Sequence, residues 1–302
     1  MSTNNESKQF RLSWTVESKD EGKLLRNFLN EHKISKKGLT SIKYRGGELS
    51  VNGKVVTVRY PLHEGDIVEV IFPLEEISLG LIPEKLPLVI RYEDESIIIL
   101  AKPAYQSTIP SRERPMGSLA NALAGYYESK DVASTVHVVT RLDRNTSGLV
   151  LIAKHSHIHH LLSAQQKAGL ITRTYQAIAE GQLEEESGRI EAPIGRNPES
   201  IITRMVREDG KYACTLYRVI QSSPIISYLE LQLLTGRTHQ IRVHMAHIGH
   251  PLAGDDLYGG TTTLIPRQAL HCAKIEFTHP LTGDRMTFEE PAPGDFQELL
   301  NR

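Results

Sequence analysis

The sequence reads as α+β: a large C-terminal region with a largely antiparallel mixed sheet flanked by helices, preceded by a small α/β unit. Three observations point there. Strand-like runs outnumber helical ones and are interleaved irregularly, without the alternation that winds a parallel sheet. Basic residues crowd the N-terminal part of an otherwise neutral chain. A stretch carrying Pro73, Pro83 and Pro87 mixes charges without a period and separates the two parts. The 302 residues therefore divide into 1–72, a linker at 73–87, and 88–302.

In the first unit, Leu24, Leu25, Phe28 and Leu29 recur at helical spacing, and a second helix is expected over 35–43. The run GGELSVNGKVV gives a strand, an Asn52-Gly53 turn and a second strand, and EGDIVEVIFP closes the unit with a third. Nine basic residues lie between Lys23 and Arg59, among them Lys36, Lys37, Lys43 and Arg45, against two acids, Glu31 and Glu48. That local excess of seven positive charges is either a solvated helix face or a phosphate-facing surface.

Beyond the linker, SIIILAK (96–102) and GLVLIAK (148–154) are short continuous apolar runs, the pattern of buried strands. TYQAIAEGQL and SYLELQLLTG alternate as strands, with a turn at Glu180-Gly181. Helices are expected around 118–127, around 157–168, and over RTHQIRVHMAHIGH up to Gly249.

Composition narrows the function. Lys+Arg is 35 against Asp+Glu at 36, so any nucleic-acid site must come from local asymmetry. No segment approaches the ~18 continuous apolar residues of a membrane span, and the polar start, MSTNNESKQF, has no apolar leader core. Two cysteines, Cys214 and Cys272, make no disulfide framework. The expectation is a reduced, cytoplasmic protein.

Two clusters carry chemistry. In VTRLDRNTSGLVLIAK (139–154), the D-x-N-x-S-G spacing begins like a calcium loop, but the position needing a bidentate Glu is Lys154. Ser147 lacks the glycine two residues earlier that a hydrolase elbow requires. Asp143 is then either half of a surface ion pair, which contributes little, or a carboxylate fixed at the rim of a core strand and able to act as a nucleophile. The second cluster, LLTGRTHQIRVHMAHIGHPLAGDDLYGG (233–260), holds His239, His244, His247 and His250. They lack the pairing of a zinc motif, and no cysteine pair lies nearby. Arg237 and Arg242 each either pair structurally with Asp255 or Asp256, or serve Asp143 and a phosphate.

These residues together resemble the pseudouridine synthases of the large-subunit-rRNA (RluA/RluD) type. The signature H-R-L-D-x-x-T-S-G-L appears as T-R-L-D-R-N-T-S-G-L (140–149), and K-x-Y-x-A as R-T-Y-Q-A (173–177). T-G-R-x-H-Q-I-R-x-H is intact over 235–244, and the closing L-H-A-x-x-L-x-F-x-H-P-x-T-G is matched over 270–283 with Cys272 for Ala and Ile275 for Leu. Lys102-Pro103-Ala104 is similar to the opening K-P-x-G. The N-terminal unit resembles an S4-type RNA-binding domain.

The resemblance implies an RNA uridine isomerase that forms a covalent intermediate through Asp143, needing neither metal nor cofactor. It implies that Arg237 forms the ion pair orienting Asp143 and that Tyr175 stacks on the flipped uracil and assists loss of the C5 proton. Arg141 would enter the RNA where the nucleotide is extruded, since a stacked base hides its glycosidic bond. Leu142 and Leu149 would form an apolar rim, with Arg144, Thr146, His239 and Arg242 at the RNA. Lys36, Lys37, Lys43 and Arg45 would grip phosphates from the S4-like unit. The partner expected is RNA, ribosomal first and transfer RNA second, for a monomeric enzyme without membrane contact.

Overall fold

The computed structural model describes residues 9–301. The polar start MSTNNESK and the final Arg302, counted above in the outer two segments, lie outside the described residues.

The first unit holds β1 (Arg11–Thr15), α1 (Leu25–Glu31), α2 (Lys36–Tyr44), β2 (Glu48–Val51), β3 (Lys54–Val55) and β4 (Ile67–Ile71). Its four strands are antiparallel in the order β1-β4-β2-β3. Both expected helices and the hairpin are present. Ser35 caps α2, its hydroxyl accepting from Gly38 N at 3.0 Å. Asn52 and Gly53 take φ of 50° and 73°, the conformation a two-residue hairpin turn needs. β1 was not expected: its RLSWT sequence has no fully buried position, so it is held by its ladder with β4 more than by burial. Phe28, Leu29, Ile42, Val68 and Val70 form the core. Lys23 is not a free cation, because it pairs with both Asp20 and Glu31 at 2.6 Å.

Residues 73–87 form neither helix nor strand, as their prolines dictate, but they are tied down. Glu75 contacts His137 and accepts from Ser156 N, Asn121 Nδ2 donates to Ile82 O at 2.8 Å, and Glu84 N donates to Asn121 O at 3.0 Å. Beside this strap, Phe10 stacks on His155 with ring centroids 4.1 Å apart, and Phe72 stacks on His157 at 5.1 Å.

The second part runs through β5 (Ile90–Glu93), β6 (Ile97–Lys102), α3 (Leu119–Ser129), β7 (His137–Val138), β8 (Ser147–Ala153), α4 (Ser156–Lys167) and β9 (Thr172–Glu180). It continues with β10 (Ser187–Glu191), β11 (Ile194–Arg196), β12 (Arg204–Val206), β13 (Cys214–Ser222), β14 (Ile226–Leu233) and α5 (Gln240–His247). It ends with β15 (Leu270–Thr278), β16 (Arg285–Glu289) and α6 (Gly294–Leu300). One sheet runs β10-β13-β14-β9-β15-β8-β6-β5, with β16 added at β15 and β7 at β8. Its described pairings are antiparallel except for β8 with β15. The mixed, largely antiparallel α+β architecture is the one expected.

The apolar runs explain the centre. Residues 97–100 of β6 and 149–153 of β8 are all fully buried, so no polar face is needed and none is encoded. Side-chain packing of Leu123, Tyr127, Ile158 and Leu162 from α3 and α4 completes that core. β10, β13 and β16 were not singled out beforehand, because they are half-exposed and read as polar.

The histidine contacts between the two parts give a pH dependence. Burial pushes the pKa of His155 and of His157 down from 6.5 to about 4. The folded state then binds fewer protons than the unfolded one between those values, so the stability is complete above about pH 6.5 and falls as pH drops toward 4. We expect the urea midpoint to fall over that range by the equivalent of up to about 2–3 kcal/mol per ring, and His157→Leu to flatten the profile.

Candidate active site

Asp143 occupies a tight turn that leads into β8, and nearly every residue of that turn is held from a different element. Thr108 Oγ1 donates to Leu142 O at 2.7 Å and accepts from Leu142 N at 3.1 Å. Lys102 Nζ donates to Arg144 O at 3.2 Å, and Arg267 Nη1 to Asn145 O at 3.1 Å. Thr146 N closes the turn onto Asp143 O at 3.1 Å, while Gln268 Nε2 donates to Thr146 Oγ1 at 3.3 Å. Ser147 Oγ lies 2.9 Å from His271 Nδ1. Gly148, with φ of 112°, lets β8 run against β15: a Cβ there would sit 2.3 Å from Cys272 O. The backbone carrying Asp143 is therefore fixed before any substrate arrives.

Two of those anchors are buried cations. Arg267 is 2% exposed and also pairs with Asp295 of α6 at 2.7 Å. Lys102 donates to Pro103 O and Gln106 O at 2.8 Å as well as to Arg144 O. Burial lowers its pKa to about 7, although three carbonyl acceptors match the three donors of the charged form.

The carboxylate of Asp143 meets a third buried cation, Arg242 of α5. Arg242 Nε and Nη2 grip both oxygens of Asp255 at 2.7 Å, and its Nη1 donates to Asp143 Oδ2 at 3.2 Å. Asp255 is fully buried and Arg242 is 6% exposed. Burial works against the charge of Arg242, but the two carboxylates outweigh it and raise its pKa. The ion pair expected between Arg237 and Asp143 is thus made by Arg242 instead. Arg237 Nε donates to Tyr212 O at 2.9 Å and its backbone N to Gln240 Oε1 at 3.0 Å, which turns the side chain along the cleft wall. The reason is helical geometry: Arg242 lies within α5 and points inward, whereas Arg237 precedes the helix.

A cleft of about 1260 Å³ opens above Asp143. Arg141, Arg144, Thr146, Tyr175, Arg237 and His239 all border it, as does Arg204 from the β11–β12 hairpin. Tyr175 is 4% exposed on β9, and burial raises the pKa of its phenol, so it is held protonated. Arg173 lies over its ring at 6.0 Å. Leu142 lines the cleft, but Leu149 does not: it is wholly inside β8, and Val139, Ile171, Ile241 and Leu270 complete the apolar wall. Lys36, Lys37, Lys43 and Arg45 are exposed on α2 and at its end, and none lines the cleft.

The histidines that invited a zinc reading have other partners. His244 contacts Thr215 Oγ1 and Ala192 O at 2.9 Å, and His250 contacts Glu180 O at 2.9 Å. Among the described residues, no group of three or more His, Cys, Asp or Glu is placed to hold a metal. Thr140, where the signature has His, is buried and accepts from Leu151 N at 2.9 Å. Thr108, Tyr258, Arg204 and Arg267 were missed beforehand. They act through hydrogen bonds between remote segments, and no local spacing announces such bonds.

The arginines along this cleft suit a phosphate-bearing chain, and the carboxylate at its floor suits chemistry on it. Residues 96–247 match the RNA pseudouridylate synthase family. The chain is 49% identical over 276 residues, 91% of this chain and 98% of the relative, to the uncharacterized RNA pseudouridine synthase YjbO of Bacillus subtilis. It is 39% identical over 274 residues, 85% of this chain and 84% of the relative, to ribosomal large subunit pseudouridine synthase D of Pseudomonas aeruginosa. The solved structure of human RNA pseudouridylate synthase domain containing 1 shares the fold, with a TM-score of 0.59 at 24% identity over 70% of this chain and 85% of that one. The protein belongs to the RNA pseudouridylate synthase family, and it is an RNA pseudouridine synthase. No helix among the described residues is long and apolar enough to cross a membrane.

Replacing Arg242 by Met strands the carboxylate of Asp255 in the core. We expect a loss of about 3–5 kcal/mol in chemical denaturation, with part of it regained when Asp255→Leu is added.

Proposed function

We propose that the chain isomerises uridines of structured ribosomal RNA, with Asp143 as the nucleophile. The observation that carries this is the setting of Asp143. Its carboxylate is 30% exposed to the cleft, while Arg242 holds its Oδ2 from below at 3.2 Å. The Pseudomonas aeruginosa relative is named for the large ribosomal subunit, which supports ribosomal RNA as the substrate class.

The chemistry follows from the balance of the reaction. The N1–C1′ bond of uridine breaks and a C5–C1′ bond forms. The C5 proton leaves, N1 gains one, and nothing is oxidised or reduced. A carboxylate oxygen of Asp143 bonds transiently to the nucleotide while the uracil turns, and is then released. Arg242 holds Oδ2 of that carboxylate and so aims it. Tyr175, a neutral phenol, gives the extruded uracil a flat face and assists loss of the C5 proton from beside it without itself becoming its final acceptor, and Arg141 fills the space the base has left. Leu142 and Ile171 keep water from the bond being broken. His239 and Arg204 border the same cleft from the other side. Arg144, Arg237 and Thr146 complete the RNA-facing lining.

The unit over 1–72 acts as an S4-like grip on the RNA backbone, joined through 73–87 to a catalytic part over 88–302. Exposed Lys36, Lys37, Lys43 and Arg45 carry its phosphate contacts. The enzyme works as a monomer in the cytoplasm, where ribosomal RNA is met.

Asp143→Ala abolishes pseudouridine formation on ribosomal RNA while RNA affinity stays within about threefold, as removal of a reacting group and not of a binding one requires. Turnover within tenfold of wild type would sink the assignment. Changing Lys36, Lys37, Lys43 and Arg45 together to Gln lowers the slope of log affinity against log salt by about 3–4, close to one for each phosphate that is no longer neutralised.

A further inference from the structure

His239 stands at an unusual place. It caps α5 in the left-handed region, with φ of 57°, where a residue with a Cβ is strained. Strain of this kind persists at functional sites when surrounding contacts over-determine it. Here those contacts form a chain. The backbone N–H of Arg204, at the start of β12, donates to the hydroxyl of Tyr258 at 2.9 Å. That hydroxyl lies 2.7 Å from His239 Nδ1. On the far side of the ring, Nε2 faces Asp143 Oδ2 at 3.7 Å.

The directions of these bonds follow from their partners. The Tyr258 oxygen accepts from Arg204 and keeps one proton to give, and the carboxylate on the far side of the ring selects His239 Nδ1 as its acceptor. Nδ1 is then an acceptor, and the ring proton sits on Nε2, toward the carboxylate. The opposite tautomer would set a lone pair on Nε2 against an anionic oxygen. Burial, with Arg242 and Arg204 nearby, lowers the pKa of His239 against the pull of Asp143, so a second ring proton is disfavoured. The ring of Tyr258 is itself seated on Arg242, whose Cζ lies 4.9 Å from its centroid. Arg242 Nη1 and His239 Nε2 approach the same carboxylate oxygen, Oδ2. The other oxygen, Oδ1, is left without either.

We propose that His239 is a positioning residue for Asp143: its Nε2–H, in a tautomer set by the hydroxyl of Tyr258, holds Oδ2 together with Arg242 and leaves Oδ1 as the oxygen that reacts. This rests on the reading of Asp143 as the nucleophile. At 3.7 Å the contact is longer than a hydrogen bond, and catalytic contacts of this kind tighten when the substrate is seated. Through Arg204, the β11–β12 hairpin at the cleft edge is joined to the same chain of contacts.

The test begins with the intact wild-type enzyme carrying 15N-labelled histidine. Long-range 1H–15N correlation at neutral pH, with the His239 signals assigned by their loss in His239→Gln, is expected to show a protonated Nε2 and a bare Nδ1. A protonated Nδ1, alone or in a doubly protonated ring, overturns the proposal. In turnover, Tyr258→Phe is expected to lower kcat about fivefold to tenfold with KM for RNA within about twofold, the loss of one hydrogen bond in the reacting state. In a His239→Gln background, where no tautomer needs setting, the same change should cost less than about twofold. Equal losses in both backgrounds would place Tyr258 in a merely structural role and overturn the proposal. The tautomer is read without turnover, so the separate failure of Asp143→Ala to abolish activity would remove the nucleophile reading and leave the ring assignment standing.

Discussion

Everything at the site depends on one guanidinium that serves two carboxylates. Arg242 is buried, a placement that would be prohibitive for an unpaired charge. The fully buried Asp255 neutralises it through two parallel 2.7 Å bonds, and that leaves Nη1 for Asp143. The pair with Asp255 sets where the cation is, and the cation sets where the carboxylate of Asp143 points. A lysine could supply the charge but not the fork, because only a planar guanidinium presents donors to both partners in fixed directions.

The turn bearing Asp143 shows how a sheet fold makes a rigid site from a loop. Its carbonyls are taken by Thr108, Lys102 and Arg267, which come from the segment after β6, from the end of β6 itself and from the segment before β15. Each bond alone is modest, but together they leave the backbone little freedom, so orientation is established on folding and not at each encounter with RNA. Lys102 and Arg267 hold the turn from beneath without entering the cleft.

Much of the fold was legible in the residues. The continuous apolar runs of β6 and β8, the alternation of β9 and β14, and the Asn52-Gly53 turn are local signals, and the local physics of burial and turn geometry was enough to place them. β1, β10 and β13 escaped because their partners, not their own patterns, make them strands. At the site, the turn of Asp143 and the Arg242 helix could be picked out by motif. Which arginine meets Asp143 could not, since Arg237 and Arg242 both lie in one motif, and only the inward face of α5 separates them. Leu149 is no rim residue because β8 is buried along its whole length, and Leu142, on the other side of the turn, is the one that reaches the cleft. Tyr258 and Arg204 sit in stretches whose spacing says nothing of the bond between them.

The parallel ladder between β8 and β15 has a bearing on when the enzyme exists at all. It joins Ser147 to His271 and Gly148 to Cys272, and Arg267 adds its bond to Asn145 from the same late segment. The segment that carries Asp143, Tyr175 and Arg242 is translated well before these partners. During synthesis on the ribosome it therefore has its reactive side chains but not the frame that aims them. The frame around the Asp143 turn is thus closed by the last part of the chain to be made.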